Sequence, residues 1–192
     1  MRHLRRGRCL GRSPSHRKAM LRNLASALFL TERETDQFDE NVPKVRGRIV
    51  TTVTKAKEVR PLVERCITIA IKGLAAEDAA RPHATAAERG TNAWKQWREG
   101  EQWQAWNAAM APAVAARRQT LRMLGDKQAV RILFGTVAPR FVDRPGGFTR
   151  ILKLAAPRLG DNGAQAVLEF VGVRDRKAQA PQAPKFEDSA AS

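Results

Sequence analysis

The residues of this sequence that could do chemistry are few and poorly spaced for it. Cys9 and Cys66 lie far apart and cannot by themselves supply the four ligands of a structural zinc site. His3, His16 and His83 have no spacing that completes one. Cys66 falls in the apolar run Val63-Glu64-Arg65-Cys66-Ile67 and reads as a small buried hydrophobe. Glu32, Glu34, Asp36, Asp39 and Glu40 are clustered, but nothing near them finishes a cation site. Glu58 and Glu64 do not share a helical face, and Asp161 sits in turn chemistry, so no pair of acids is set up for general acid–base work. The sequence contains no GxSxG, no P-loop and no HExxH. Arg144-Pro145-Gly146-Gly147 is not a P-loop-type cradle, although its glycines allow a backbone to approach a ligand closely. The expectation is a protein that is not an enzyme, with no cofactor, no metal and no small-molecule substrate.

Charge points elsewhere. Lys and Arg number 35 against 19 Asp and Glu, a formal net charge of +16. That excess calls for a polyanionic partner. Most of these cations are arginines, whose planar fork suits phosphates and base edges. No apolar run is long enough to span a membrane, and Met1-Arg2-His3-Leu4-Arg5-Arg6-Gly7-Arg8 leads into polar sequence, unlike a secretory signal. The reading is cytoplasmic, with no membrane partner.

The elements that must position these cations can be read in outline. Residues 1–14 form a basic arm broken by Gly7, Gly11 and Pro14, and no acid occurs before Glu32. Ser15 reads as the cap of a helix reaching about Leu30, with Met20, Leu21, Leu24, Ala27 and Leu28 on its apolar side. His16, Arg17 and Lys18 in its first turn oppose the helix dipole, a cost more easily borne beside an anion. Residues 31–47 are acidic and read as an inserted loop facing away from the polyanion. A short strand at Arg48–Val53 precedes a helix capped by Thr54 and closed by Gly73, with Val59, Val63, Cys66, Ile67 and Ala70 as its core stripe. Pro61 should bend that helix or mark its true start.

Residues 74–113 hold Trp94, Trp97, Trp103 and Trp106. Stacking on RNA bases is one use for them; a stripe that packs an added helix onto the core, with Gly100 interrupting it, is the favoured one. Helices follow at 113–124, stopped by Gly125, and from Asp126 to Gly135, with Pro139-Arg140-Phe141 in a loop. Strands are predicted at Phe148–Leu154 and Ala166–Val171, joined by the turn-forming Pro157–Gly163. From Arg174 onward the composition is that of a disordered tail.

Several motifs in one order carry a resemblance. Met1-Arg2-His3, Gly7-Arg8, Ser15-His16-Arg17-Lys18-Ala19-Met20 and Arg22-Asn23 come first. Ile49-Val50-Thr51-Thr52 and Lys55-Ala56-Lys57-Glu58 follow, then Pro139-Arg140-Phe141 and Gly146-Gly147-Phe148-Thr149-Arg150-Ile151-Leu152-Lys153. Gly160-Asp161-Asn162, Ala166 and Glu169 complete the set. Together they resemble the bacterial ribosomal large-subunit protein seventeen family over roughly 1–30, 48–73 and 114–173.

The resemblance implies an α/β (α+β) two-layer fold: a three-stranded mixed sheet packed against three to four helices. The basic arm and the Trp-rich helical insertion would be additions to it. It implies a structural constituent of the large ribosomal subunit, bound to large-subunit ribosomal RNA among neighbouring ribosomal proteins. The chain then divides into an arm at 1–14, one domain at 15–173 with insertions at about 31–47 and 74–113, and a tail at 174–192. RNA contacts are expected from Arg2, His3, Arg5, Arg6, Arg8 and Arg12 in the arm. His16, Arg17, Lys18 and Arg22 would add contacts from the first helix, and Lys55 and Lys57 from the second. Arg140, Arg144, Gly146, Gly147, Arg150, Lys153 and Arg158 would extend the surface from the sheet. The alternative is a free basic nucleic-acid-binding protein, which would explain the charge but not the ordered motifs.

Overall fold

A computed structural model describes residues 7–35, 39 and 41–172 of the chain. The described residues form helix α1 (Pro14–Leu30), strand β1 (Arg48–Thr52) and helix α2 (Val53–Ala80). Helices α3 (Asn92–Glu99), α4 (Glu101–Leu124) and α5 (Lys127–Ile132) follow. The last pieces are a π-helical turn (Leu133–Val137), a 3-10 turn (Ala138–Phe141) and strands β2 (Thr149–Lys153) and β3 (Gln165–Phe170).

The three strands lie in the order β1-β3-β2, and both pairings are antiparallel. The expected mixed sheet is therefore corrected. β1 and β2 do run parallel to each other, but β3 is inserted between them, so no parallel ladder forms. Val50 aligns with Val167, and Val167 with Leu152. The alternation of the central strand sends Ala166, Leu168 and Phe170 into the core.

α2 is the axis of the molecule. Val59, Val63, Cys66, Ile67 and Ala70, the stripe expected from helical spacing, are all fully buried. Burial pushes the Cys66 thiol up to about 12, so it stays a neutral apolar group. Pro61 neither breaks nor starts this helix. It lies on the exposed side, where the lost hydrogen bond is outweighed by the continuous buried stripe.

Gly73 is also not a stop. It is buried within α2, and a Cβ there would stand 2.9 Å from both the Ala116 Cβ and a Phe134 ring carbon. The residue is small because α4 and the π-turn come that close. α2 and α4 consequently run beyond the expected ends, and half of the segment 74–113 extends two core helices.

Helix starts differ by one or two residues from the expectation. α1 begins at Pro14 with Ser13, not Ser15, at the cap position, because proline is preset for the first helical residue. α2 begins after Thr52 rather than Thr54. The buried face of α1 is Ala25, Leu28 and Phe29, with Ala27 exposed. Phe29 meets Phe170 of β3 at 5.7 Å between ring centroids, and that contact sets the helix rotation. Gly125, at φ +79, ends α4, and the Asp126 carboxylate caps α5 through Gln128 N–H and Ala129 N–H, both as expected.

The tryptophans hold α3 to α4 rather than to the main core. Trp97 and Trp106 meet edge to face at 5.7 Å, and the Trp97 indole N–H donates to the His83 carbonyl at 3.1 Å. The Arg98 guanidinium lies over both Trp94 and Trp103, 5.1 and 5.5 Å from the ring centres. No residue of α3 is buried.

Candidate nucleic-acid interface

The expected contact residues fall into four groups. Arg2, His3, Arg5 and Arg6 lie outside the described residues. Just beyond them, the chain is fastened to the start of α2. Glu58 accepts from Gly7 N–H at 3.2 Å and pairs with Arg8 at 2.8 Å. Arg17 of α1 reaches back to the carbonyls of Gly7 and Arg8. Arg12 donates to the Leu10 carbonyl at 2.7 Å. The first cations are thereby collected beside Lys55 and Lys57, which occupy the turn of α2 that presents Glu58.

A second group sits on the face of α1 turned toward α2 and α4. Lys18 and Arg22 border a groove of about 430 Å³ with Arg65 of α2 and Arg122 of α4. The Arg22 guanidinium donates to the Arg122 carbonyl at 2.8 Å, satisfying one of the open carbonyls in the last turn of α4. His16, two residues before Lys18, is exposed.

The third group lies in the turns leading into β2. Arg140 pairs with Glu32 at 2.8 Å and its guanidinium stands over the Phe141 ring. Glu32 belongs to the acidic segment expected to face away from the polyanion. It instead neutralises a predicted contact residue, packed against Gly47. The Arg144 side chain donates to the Gly146 carbonyl at 3.1 Å, and Gly147 adopts φ +64 with open space where a Cβ would stand. Glycine is required at 147 by the backbone conformation, and the surface beside it is accessible.

The fourth group is the β2–β3 hairpin. Arg150 pairs across the ladder with Glu169. Lys153 is exposed, and by strand alternation it falls on the opposite face from Arg150. At the tip, Arg158 grips Asp161, which also accepts from Gly163 N–H. The hydrogen bonds from Arg158 and Gly163 hold the Asp161 carboxyl down at about 2, and the same contact raises Arg158. Asn162 takes a left-handed conformation at φ 51, a place where asparagine is tolerated.

Residues 20–171 match the family described as ribosomal protein L17. Over 190 residues the chain is 58% identical to the large ribosomal subunit protein bL17 of Rhodopirellula baltica, covering 99% of this chain and 90% of that protein. The bL17 of Desulfovibrio desulfuricans is 35% identical over 190 residues, covering 99% and 79%. That of Agrobacterium fabrum is 36% identical over 171 residues, covering 89% and 82%. The chain belongs to the ribosomal protein L17 family.

Membership in the L17 family fits the α+β core of this chain, yet two determinants of its geometry are carboxylates that charge-based reading passes over. Glu58 anchors residues 7 and 8. Glu64 accepts from Phe148 N–H at 3.2 Å, Thr149 N–H at 2.9 Å and the Thr149 hydroxyl at 2.6 Å, tying the first residue of β2 to α2. The sequence signal was their placement on a helix whose neighbours are Lys55, Lys57, Arg60 and Arg65. An acid kept amid such cations has a partner to hold.

Proposed function

We propose that this chain is a structural constituent of the large ribosomal subunit, a folded scaffold that holds large-subunit ribosomal RNA and does no catalysis. The single observation that carries this is identity of 58% over 99% of the chain with a protein named for that subunit. Its workplace is accordingly the ribosome in the cytoplasm, among neighbouring ribosomal proteins. The division into a basic arm (1–14), a domain (15–173) carrying additions at 31–47 and 74–113, and a tail (174–192) belongs to the same reading.

The four groups of cations do different work in it. His16, Lys18, Lys57 and Lys153 are exposed and form no ion pair among the described residues, so they meet phosphates directly. Arg8, Arg140, Arg150 and Arg158 are each held by a carboxylate. A guanidinium has five donors, and a carboxylate on one edge leaves the other pointed at an RNA oxygen. Gly146 and Gly147 give RNA a place to approach the backbone. Contacts of this kind read phosphate positions and groove shape rather than base identity.

The test is binding of the purified full-length chain to large-subunit RNA at rising salt. Affinity should fall steeply between 50 and 200 mM as the gain from counterion release shrinks, by a factor of roughly 10³ or more for six or more phosphate contacts. Equal affinity at the two salts overturns the reading, and so does absence of the chain from large subunits sedimented after a moderate salt wash.

A further inference from the structure

The groove beside Lys18 and Arg22 opens onto a wider cationic face whose other four cations belong to no motif. Lys18 and Arg22 of α1, Arg65 and Lys72 of α2, and Arg118 and Arg122 of α4 border three adjoining grooves. Gln119 lines all three, so they adjoin around it as compartments of a trough. Two of its compartments measure about 690 Å³ between α2 and α4 and about 430 Å³ where α1 closes the end. No Asp or Glu lines any of them.

The arrangement follows from helix periodicity. Arg65 and Lys72 are two turns apart on α2, opposite its buried stripe, and roughly 10 Å apart along the axis at about 1.5 Å per residue. Arg118 and Arg122 are one turn apart on α4. Small groups, Gly73, Ala115 and Ala116, line the groove beside Arg65 and Lys72, and Arg118 and Arg122 line the adjoining groove along α4. Arg65, Lys72, Arg118 and Arg122 are exposed and enter no ion pair among the described residues. The acids of α2 are engaged elsewhere: Glu58 with Arg8, Glu64 with the start of β2, Glu77 with Arg117 and Asp78 with Arg81.

Six cations with no internal counterion carry a repulsive cost that folding alone gives no reason to keep. We infer that this α1–α2–α4 trough is an RNA-backbone track, separate from the arm and hairpin surfaces, in which Arg65, Lys72, Arg118 and Arg122 bind consecutive phosphates. Charge complementarity selects a polyanion. Arg65, Arg118, Arg122 and Lys72, with Gln119 at the centre, supply the hydrogen-bond donors that phosphate and sugar oxygens accept. Beyond Arg118 the trough continues to the Trp106 ring, which could stack an unpaired base. The inference rests on the ribosomal reading above and adds a site to it.

The experiment compares three full-length variants with the parent on large-subunit RNA. R65A/K72A/R118A should flatten the plot of log affinity against log salt by about 2 to 3, close to one unit for each phosphate no longer neutralised. R65K/R118K should keep the wild-type slope, since the charges remain. K55A/K57A, on the other surface, is the reference. If only K55A/K57A weakens binding, the trough inference falls and the ribosomal reading stands. If neither alanine variant weakens binding, the ribosomal RNA-binding reading falls with it. A photoreactive amino acid in place of Gln119, in chains assembled into large subunits, provides an independent readout. Crosslinks to RNA support the track; crosslinks only to protein overturn it in favour of an acidic protein neighbour.

Discussion

Asp161 and Arg158 show how a single exposed pair can define a turn. Both side chains are about half exposed, and such pairs contribute little to global stability. Their effect is local: the carboxylate joins a guanidinium to the Gly163 N–H across the hairpin tip. Because the folded value, about 2, lies below the ordinary 3.8, this contribution is complete above 3.8 and is lost as pH falls through 2. A carbon-detected NMR titration should find the Asp161 midpoint near 2. In Arg158→Ala the midpoint should rise toward the ordinary value; an unchanged midpoint would mean that the backbone alone sets it. Glu64 works at higher stakes, since it serves three donors at the junction of α2 and β2. Glu64→Gln keeps the shape but loses the charge and one acceptor oxygen. It should cost about 1 to 3 kcal/mol in denaturant unfolding, the range for leaving a hydrogen-bonding group without its partner away from water. A variant as stable as the parent would show that water replaces the carboxylate there.

Among the elements, the α2–α4 contact decides the architecture, and it turns on Gly73. Alanine is intrinsically better in a helix by about 1 kcal/mol. Here its methyl would collide with the Ala116 Cβ, which has no rotamer to escape into, and with the edge of Phe134. Overpacking of this kind costs about 1 to 3 kcal/mol and should exceed the propensity gain. Gly73→Ala should therefore lower the melting temperature, whereas Gly90→Ala, with open space around it, would be strained only by its φ of +98. A stabilised Gly73→Ala would mean that α2 and α4 can move apart freely.

The same packing explains what could be read in advance. The stripe Val59–Ala70, the cap at Asp126 and the stop at Gly125 were legible because they are local. Gly73 has the local signature of a stop, but its cause is a neighbour far along the chain. Sheet order was hidden for a related reason: strand spacing does not say that β3 enters between β1 and β2. Among the candidate contact residues, the cations could be read as a class from charge alone. Their carboxylate partners, Glu32 for Arg140 and Glu58 for Arg8, required the fold.

At the scale of the whole molecule, a chain of net charge +16 resists its own compaction. This protein reduces that cost by separating its charge from its core. The buried cluster begins at Ala25, with Leu21 and Leu24 partly buried at its edge, and contains none of the described residues before α1. Residues 7 and 8 touch the body through Glu58, by one partly exposed ion pair and one backbone hydrogen bond, and through Arg17, which donates to both their carbonyls. A chain lacking residues 1–14 should still fold, with a loss of about 1 to 3 kcal/mol from the Arg8–Glu58 pair, the Arg17 hydrogen bonds and the Ser13–Pro14 start of α1. Its far-ultraviolet circular dichroism should match the parent in helix content per residue. RNA binding should respond differently, because the deletion removes Arg2, Arg5, Arg6, Arg8 and Arg12. Arg8 is already shared with Glu58, so the salt slope should shrink by about 3 to 4 rather than the full set. An unfolded truncation would show that the arm is part of the core. An unchanged slope in a folded truncation would mean that the arm's charge meets no phosphate, leaving RNA affinity to the cations of the helices and the hairpin.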